Sequence, residues 1–245
     1  MDSGYYAACT ALVARTQALD TIANNLANTS TNGFRAERNV FSSVLQAAGD
    51  ASSSPLNEAI NNFGILSGTT MDRSEGSLQK TGNDLDLAVE GAGFFTVQTA
   101  NGVRYTRNGN FTVSSKGQLT TSTGDEVMGD RGPITLLPGH ISISPDGTIS
   151  SRGAVAGKIK LVKFSSDTLL TNAGNTYYSA PEDKATDDTE STVRQGVLEG
   201  SNVNPVTSMV ELISAQRSAE MMQRALSMFN SEIDKTATQE LPKLG

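Results

Sequence analysis

The chain has 245 residues, 37% of them hydrophobic, with no Trp, a single Cys and a formal net charge of −7. That length suffices for one large domain or two small ones, and the few aromatic residues imply a light, aliphatic core. The acidic balance argues against a nucleic-acid or anionic-membrane partner, the lone Cys9 excludes an internal disulfide, and no apolar run reaches the roughly 20 residues of a membrane span.

The first twenty residues, MDSGYYAACTALVARTQALD, lack a basic leader and an unbroken apolar stretch, so no cleaved secretory signal is expected. Within them begins a heptad pattern: Tyr5, Leu12, Leu19 and Leu26 recur every seven residues, with Cys9, Thr16 and Ala23 at the four-residue offset. This predicts a helix over about 3–29, roughly 40 Å long, with a narrow seam. Asn24, Asn25 and Asn28 fall beside the Leu19, Ile22, Leu26 stripe. Amides there can hydrogen-bond across a helix interface and fix its register, or they simply end the helix, as NTSTNG would.

Residues 36–78 read as an extended linker, Ser-, Gly- and Asn-rich over much of their length. The stretch 79–200 reads as a β domain. LDLAVEGAGFFTV alternates Leu85, Leu87 and Val89, turns at Gly91 to Gly93 and resumes with Phe95 and Val97. VRYTR, FTVS, GQLTT, HISISPDGTIS and GKIKLVKFS suggest further strands, separated by ANG, RNGN, SKGQ, TGDE and PDG turns that call for positive φ. Of 23 glycines, 20 lie in 46–204, and this middle also holds most of the net acidity. Spacing near ten residues points to an antiparallel sandwich or barrel rather than βαβ units.

The segment 201–245 opens with Asn204 as N-cap and Pro205 as first helical residue. Leu212, Ala219, Leu226 and Ile233 then repeat at seven, interleaved with Met209, Ala215, Met222 and Phe229. Neither helix has enough apolar surface to stand alone, and each is the other's obvious partner. The expected fold class is α+β: terminal helices (1–35 and 201–245) forming a coiled-coil-like core segment, with a mainly antiparallel β domain inserted between them. Ala, Cys and Thr in the seams each forgo about 0.8 kcal/mol per missing CH₂ relative to Leu, so such a pair gains from neighbouring copies.

Catalytic patterns are lacking. His140, the only histidine, has no G-x-S-x-G elbow. Asp84 and Asp86 lie two apart on a strand; as a pair they could bind a cation or do acid/base work on a cell-wall glycan, or be an ordinary strand-edge pair. GAG at 91–93 lacks the third glycine of a dinucleotide fingerprint, DKATDDTE lacks the alternation of a calcium loop, and Met221, Met222 and Met228 read as packing residues. No cofactor or metal site is expected.

Three separated stretches carry a resemblance. NNLANTSTNGFRA is similar to the N-terminal signature of the bacterial flagellar rod and hook family; DLAVEGAGFFTV with YTRNGNFTVSSKGQLTTSTGDEVMG resembles that family's β region; GVLEGSNVNPVTSMVELISAQRSAEMM resembles its C-terminal signature. LEGSNVNP, the short linker and the overall length are most similar to the proximal-rod type, with the distal-rod type as the alternative. The resemblance implies a structural subunit, not an enzyme, that self-assembles helically through its terminal helices, with the β domain facing outward, and transmits motor torque. It implies as partners other rod subunits, copies of itself and the flagellar type III export apparatus, with a place in the periplasmic rod of the basal body, reached without signal cleavage. Residue by residue, Asn24, Asn25, Leu26, Ala27, Asn28, Thr31, Gly33 and Phe34 match the first signature, and Leu198, Glu199, Gly200, Ser201, Asn202, Val203 and Asn204 the second. With the seam residues Leu12, Leu19, Leu212, Met222, Leu226 and Phe229, these are the expected assembly contacts. Two other readings remain open: a glycan-binding or glycan-cleaving β domain, and a free-standing periplasmic coiled-coil scaffold.

Overall fold

The structure is a computed structural model that describes residues 2–42 and 65–239; the middle of the expected linker lies outside them, as do the side chains of Tyr5, Phe229 and Ile233. The chain forms two compact units: one comprises Met1–Leu26, Glu37–Thr69 and Pro205–Gly245, the other Ala27–Ala36 and Thr70–Asn204.

The second unit is built on a ten-stranded sheet in which every described pairing is antiparallel. Its order runs Thr171–Asn172, Tyr177–Ser179, Gly102–Thr106, Phe94–Thr99, Glu126–Gly129, Leu119–Thr121, Phe111–Val113, with Gly132–Pro133, Leu161–Lys163 and Thr186–Asp187 attached beside it. The strands form where a glycine at positive φ closes a tight turn. Gly117 in SSKG and Gly147 in SPDG both adopt left-handed backbone, φ +79° and +82°, and each donates its N–H to the Ser three residues back, at 2.8 and 2.9 Å.

Strand alternation sends successive phenylalanines to opposite faces. Phe95 joins Leu87, Val89, Phe111, Leu119 and Val127 in one core, while Phe94 joins Tyr105, Val162, Phe164 and Tyr178 in another. Edge-on ring contacts hold both: Phe95 to Phe111 at 5.0 Å, Tyr105 to Phe164 at 4.8 Å. Leu87, Ala88 and Val89 are all buried, so the simple in-out alternation expected of that strand gives way to burial on both sides. The last strands of the unit return to its first: Thr192–Gln195 pairs with Leu87–Glu90, and Val197–Glu199 with Leu78–Lys80. This closure brings the C-terminal signature beside the start of the unit.

The first unit holds the helices Asp2–Ala27 and Pro205–Gln239 and the pairing of Glu37–Ser42 with Ile65–Met71, so strands flank the undescribed part of the expected linker. Here the expected class is corrected. The protein is mostly β, its large sheet curves as a half-barrel, two helices occupy the chain ends, and no coiled-coil core is evident among the described residues. The reason is visible in the N-terminal helix. Its buried row is Ala14, Ala18, Thr21 and Asn25, whereas Leu12, Leu19 and Leu26 are half-buried and Thr16 and Ala23 are exposed. Thr21 donates to the Asn39 side chain at 3.1 Å and Asn25 bonds the Glu37 backbone, so the last turns of this face meet a strand and the leucines do not form its buried row.

Candidate functional site

The first signature ends the N-terminal helix and redirects the chain. Thr31 N–H donates to the Asn28 carbonyl at 3.2 Å and its hydroxyl to Asn28 Oδ1 at 3.1 Å, closing a turn that Gly33 completes at φ +68°. Asn25 is buried and uses both ends of its amide on one residue: Nδ2 donates to the Glu37 carbonyl at 2.8 Å and Oδ1 accepts from Glu37 N–H at 2.9 Å. The register it fixes is therefore that of helix on strand. Asn25→Ala should lower the unfolding free energy of the helical unit by about 1–3 kcal/mol, because both Glu37 backbone groups lose a buried partner; urea denaturation reads this directly. Asn24 and Ala27 are exposed, and Leu26, Asn28 and Thr31 half-buried.

Within the β-rich unit the two signatures meet. Gly33 N–H donates to the Glu199 carbonyl at 2.7 Å, Asn202 N–H to the Phe34 carbonyl at 3.3 Å, and Ala36 N–H to Asn202 Oδ1 at 2.7 Å. Asn202 Nδ2 in turn donates to the carbonyls of Asp72 and Ser74 at 3.2 and 3.0 Å. Gly200 N–H reaches the Ser77 carbonyl at 2.8 Å. Phe34, Leu198, Glu199, Gly200 and Val203 are buried here, Ser201 and Asn202 half-buried, Asn204 exposed.

At the centre lies Glu199, 1% exposed. Its Oε1 accepts from Gly76 N–H at 2.9 Å and lies 2.5 Å from Arg35 Nη2, an ion pair set off the line of a hydrogen bond. Its Oε2 accepts from Arg107 Nη1 at 3.4 Å, and the same Nη1 donates to the Val89 carbonyl at 3.0 Å. The Arg107 guanidinium stacks over Phe94, 4.9 Å from the ring centre. Burial pushes Arg107 down to about 10, partly countered by Glu199, so it remains a cation at neutral pH. Arg35 and Arg107 escaped sequence reasoning as site residues, although both stand inside the quoted motifs NGFRA and YTRNGN; their partnership joins distant parts of the chain and leaves no periodic trace.

The C-terminal helix carries two opposed apolar rows. Leu212, Ala215, Ala219, Met222 and Leu226 form the buried or half-buried one. Val206, Met209, Val210, Ile213, Met221 and Met228 form the other, each more than half exposed.

The residues once open to a glycan reading do not converge. Asp86 is buried and accepts from the Asn83 and Asn110 side-chain amides at 3.2 and 3.0 Å, while Asp84 is exposed. Among the described residues no cluster of His, Cys, Asp and Glu could hold a metal ion.

Three family models match the chain: "Flagella basal body rod protein" over 6–35, "Flagellar hook protein FlgE/F/G D1 domain" over 88–151, and "Flagellar basal body rod FlgEFG protein C-terminal" over 194–239. The flagellar basal-body rod protein FlgF of Caulobacter vibrioides is 33% identical, with all of both chains covered. The chain belongs to the flagellar basal-body rod protein family. FlgF of Escherichia coli K12 is 35% identical over 93% of this chain and 94% of its own, and a rod protein FlgG of Buchnera aphidicola is 33% identical over 92% of each. This rod protein is thus a structural subunit of the flagellar basal body, of a kind that assembles with other rod components. No described helix is long and apolar enough to cross a membrane.

Proposed function

We propose that this rod protein is a proximal-rod subunit that self-assembles helically through its terminal helices and transmits motor torque. Full-length similarity to FlgF relatives supports the proximal position. The observation that carries the assembly reading is the second apolar row of the C-terminal helix. Six large apolar side chains exposed along one face of one helix form the kind of patch that protein–protein contacts cover. Neighbouring rod subunits are the partners we assign to that row, with the β-rich unit facing outward; Leu12, Leu19, Leu212, Met222, Leu226 and Phe229 are kept in this proposal as further assembly contacts, separate from that row. The signature residues that meet around Glu199 serve the subunit's internal shape.

In this reading the protein travels through the flagellar type III export apparatus without signal cleavage, takes its place in the periplasmic part of the rod, and turns over no substrate. Restoring the chain to a strain that lacks its own copy, then purifying basal bodies, tests the proposal: the chain should be recovered in the rod fraction and swimming restored. Recovery only in soluble material would reject it.

A further inference from the structure

Glu199 and its two arginines come from three places in the β-rich unit: Arg35 follows the N-terminal signature turn, Arg107 follows the strand Gly102–Thr106, and Glu199 ends the last strand before the C-terminal helix. All three side chains are at most 2% exposed. Two guanidiniums share one carboxylate, and each leaves its Nε without a hydrogen-bond partner. Glu75 and Asp188 also favour the Arg107 cation electrostatically, and Glu75 Oε1 is engaged with Gly91 N–H at 3.0 Å.

A buried ion cluster with polar atoms left over is a poor stability device, because well-packed apolar residues of similar volume commonly do as well. What this cluster does that apolar residues would not is specify geometry. Arg35 donates through Nη1 to the Ser74 carbonyl and its N–H to the Tyr178 hydroxyl at 3.0 Å; Glu199 accepts from Gly76; Arg107 reaches the Val89 and Gly91 carbonyls. Each charged group thus grips backbone as well as its counter-ion.

We propose that Arg35, Glu199 and Arg107 form a positioning latch that locks the incoming segment 33–36, the outgoing segment 199–203 and the bridging segment 74–77 to one another. The latch closes only when both signatures are in place, so that the points where the chain enters and leaves the β-rich unit are fixed as a pair. Its role in rod building rests on the assembly reading above; its action within the subunit does not.

Hydrogen exchange on the purified full-length chain separates the two. Glu199→Gln keeps the shape and removes the charge; exchange in 33–36, 74–77 and 199–203 should accelerate together, by about tenfold or more, while 119–127 stays as protected as before. Arg35→Lys, which keeps a charge but loses the planar fork, should loosen the same three segments to a smaller degree, and it serves as the test if Glu199→Gln does not fold. Acceleration confined to 199–203, or spread evenly through the unit, would overturn the latch. In cells, both variants should be under-represented in purified basal bodies relative to the unaltered chain. Loosened segments with normal incorporation would overturn the latch's part in assembly and leave the rod reading standing.

Discussion

Gly33→Ala is expected to lower the unfolding free energy of the β-rich unit by about 2–5 kcal/mol, through left-handed strain together with overpacking. Gly33 sits at φ +68°, where a side chain is disfavoured, and a Cβ built there would lie 2.2 Å from the Asn108 nitrogen and 2.4 Å from the Arg107 carbonyl carbon. Those are backbone atoms, held by the hydrogen bond from Asn108 N–H to Thr106 Oγ1 and by the buried Arg107, so they cannot yield as a flexible side chain would. Gly82→Ala is the matched control: φ is +77° but nothing lies within 4 Å of the added methyl, so only the conformational cost, about 1–2 kcal/mol, applies. With no Trp in the chain, urea unfolding followed by tyrosine fluorescence and circular dichroism compares the two. Equal losses in both variants would mean that the close approach of the signature turn to Asn108 is not tight.

The second large effect falls on assembly and spares the subunit. Ile213 and Met221 are 53% and 63% exposed, so changing both to Asp removes little from the folded chain, and its stability should move by no more than about 0.5 kcal/mol per site. In a rod, the same carboxylates would be buried in an apolar contact without partners, at a cost of several kcal/mol each. Cells carrying only the double variant should therefore lose swimming and yield basal bodies without this subunit, although the purified chain melts normally. Normal motility would remove the exposed row from the assembly contact.

The strands were legible because their determinants are local. SSKG and SPDG mark their turns by composition alone, and the apolar residues between them set the strand. The helix seam was not. Ala14, Ala18, Thr21 and Asn25 follow the same four-three spacing as the leucine row, so periodicity offers two seams, and side-chain size favours the one the structure leaves half-buried. What decides is the neighbour: a strand, Glu37–Ser42, whose backbone offers Asn25 a matched donor and acceptor. Val206, Val210 and Ile213 went unremarked, and Met221 was read as a packing residue rather than as part of their row, for a related reason: arginines at 217 and 224 interrupt it. The signature residues were found by likeness to a family, but their grouping around Glu199 depends on long-range closure of the sheet, which no local pattern announces. Asp86 shows the converse: a spacing that suggested chemistry is satisfied by two amides.

The assembly role of the exposed helix row is tested most directly by a photo-crosslinking amino acid placed at position 213 of the full chain and irradiated in living cells before basal bodies are isolated. If the exposed row is an assembly contact, covalent adducts between this chain and neighbouring rod subunits will be found within the purified rod. Rods that contain the chain yet give no adduct from position 213 would contradict that role.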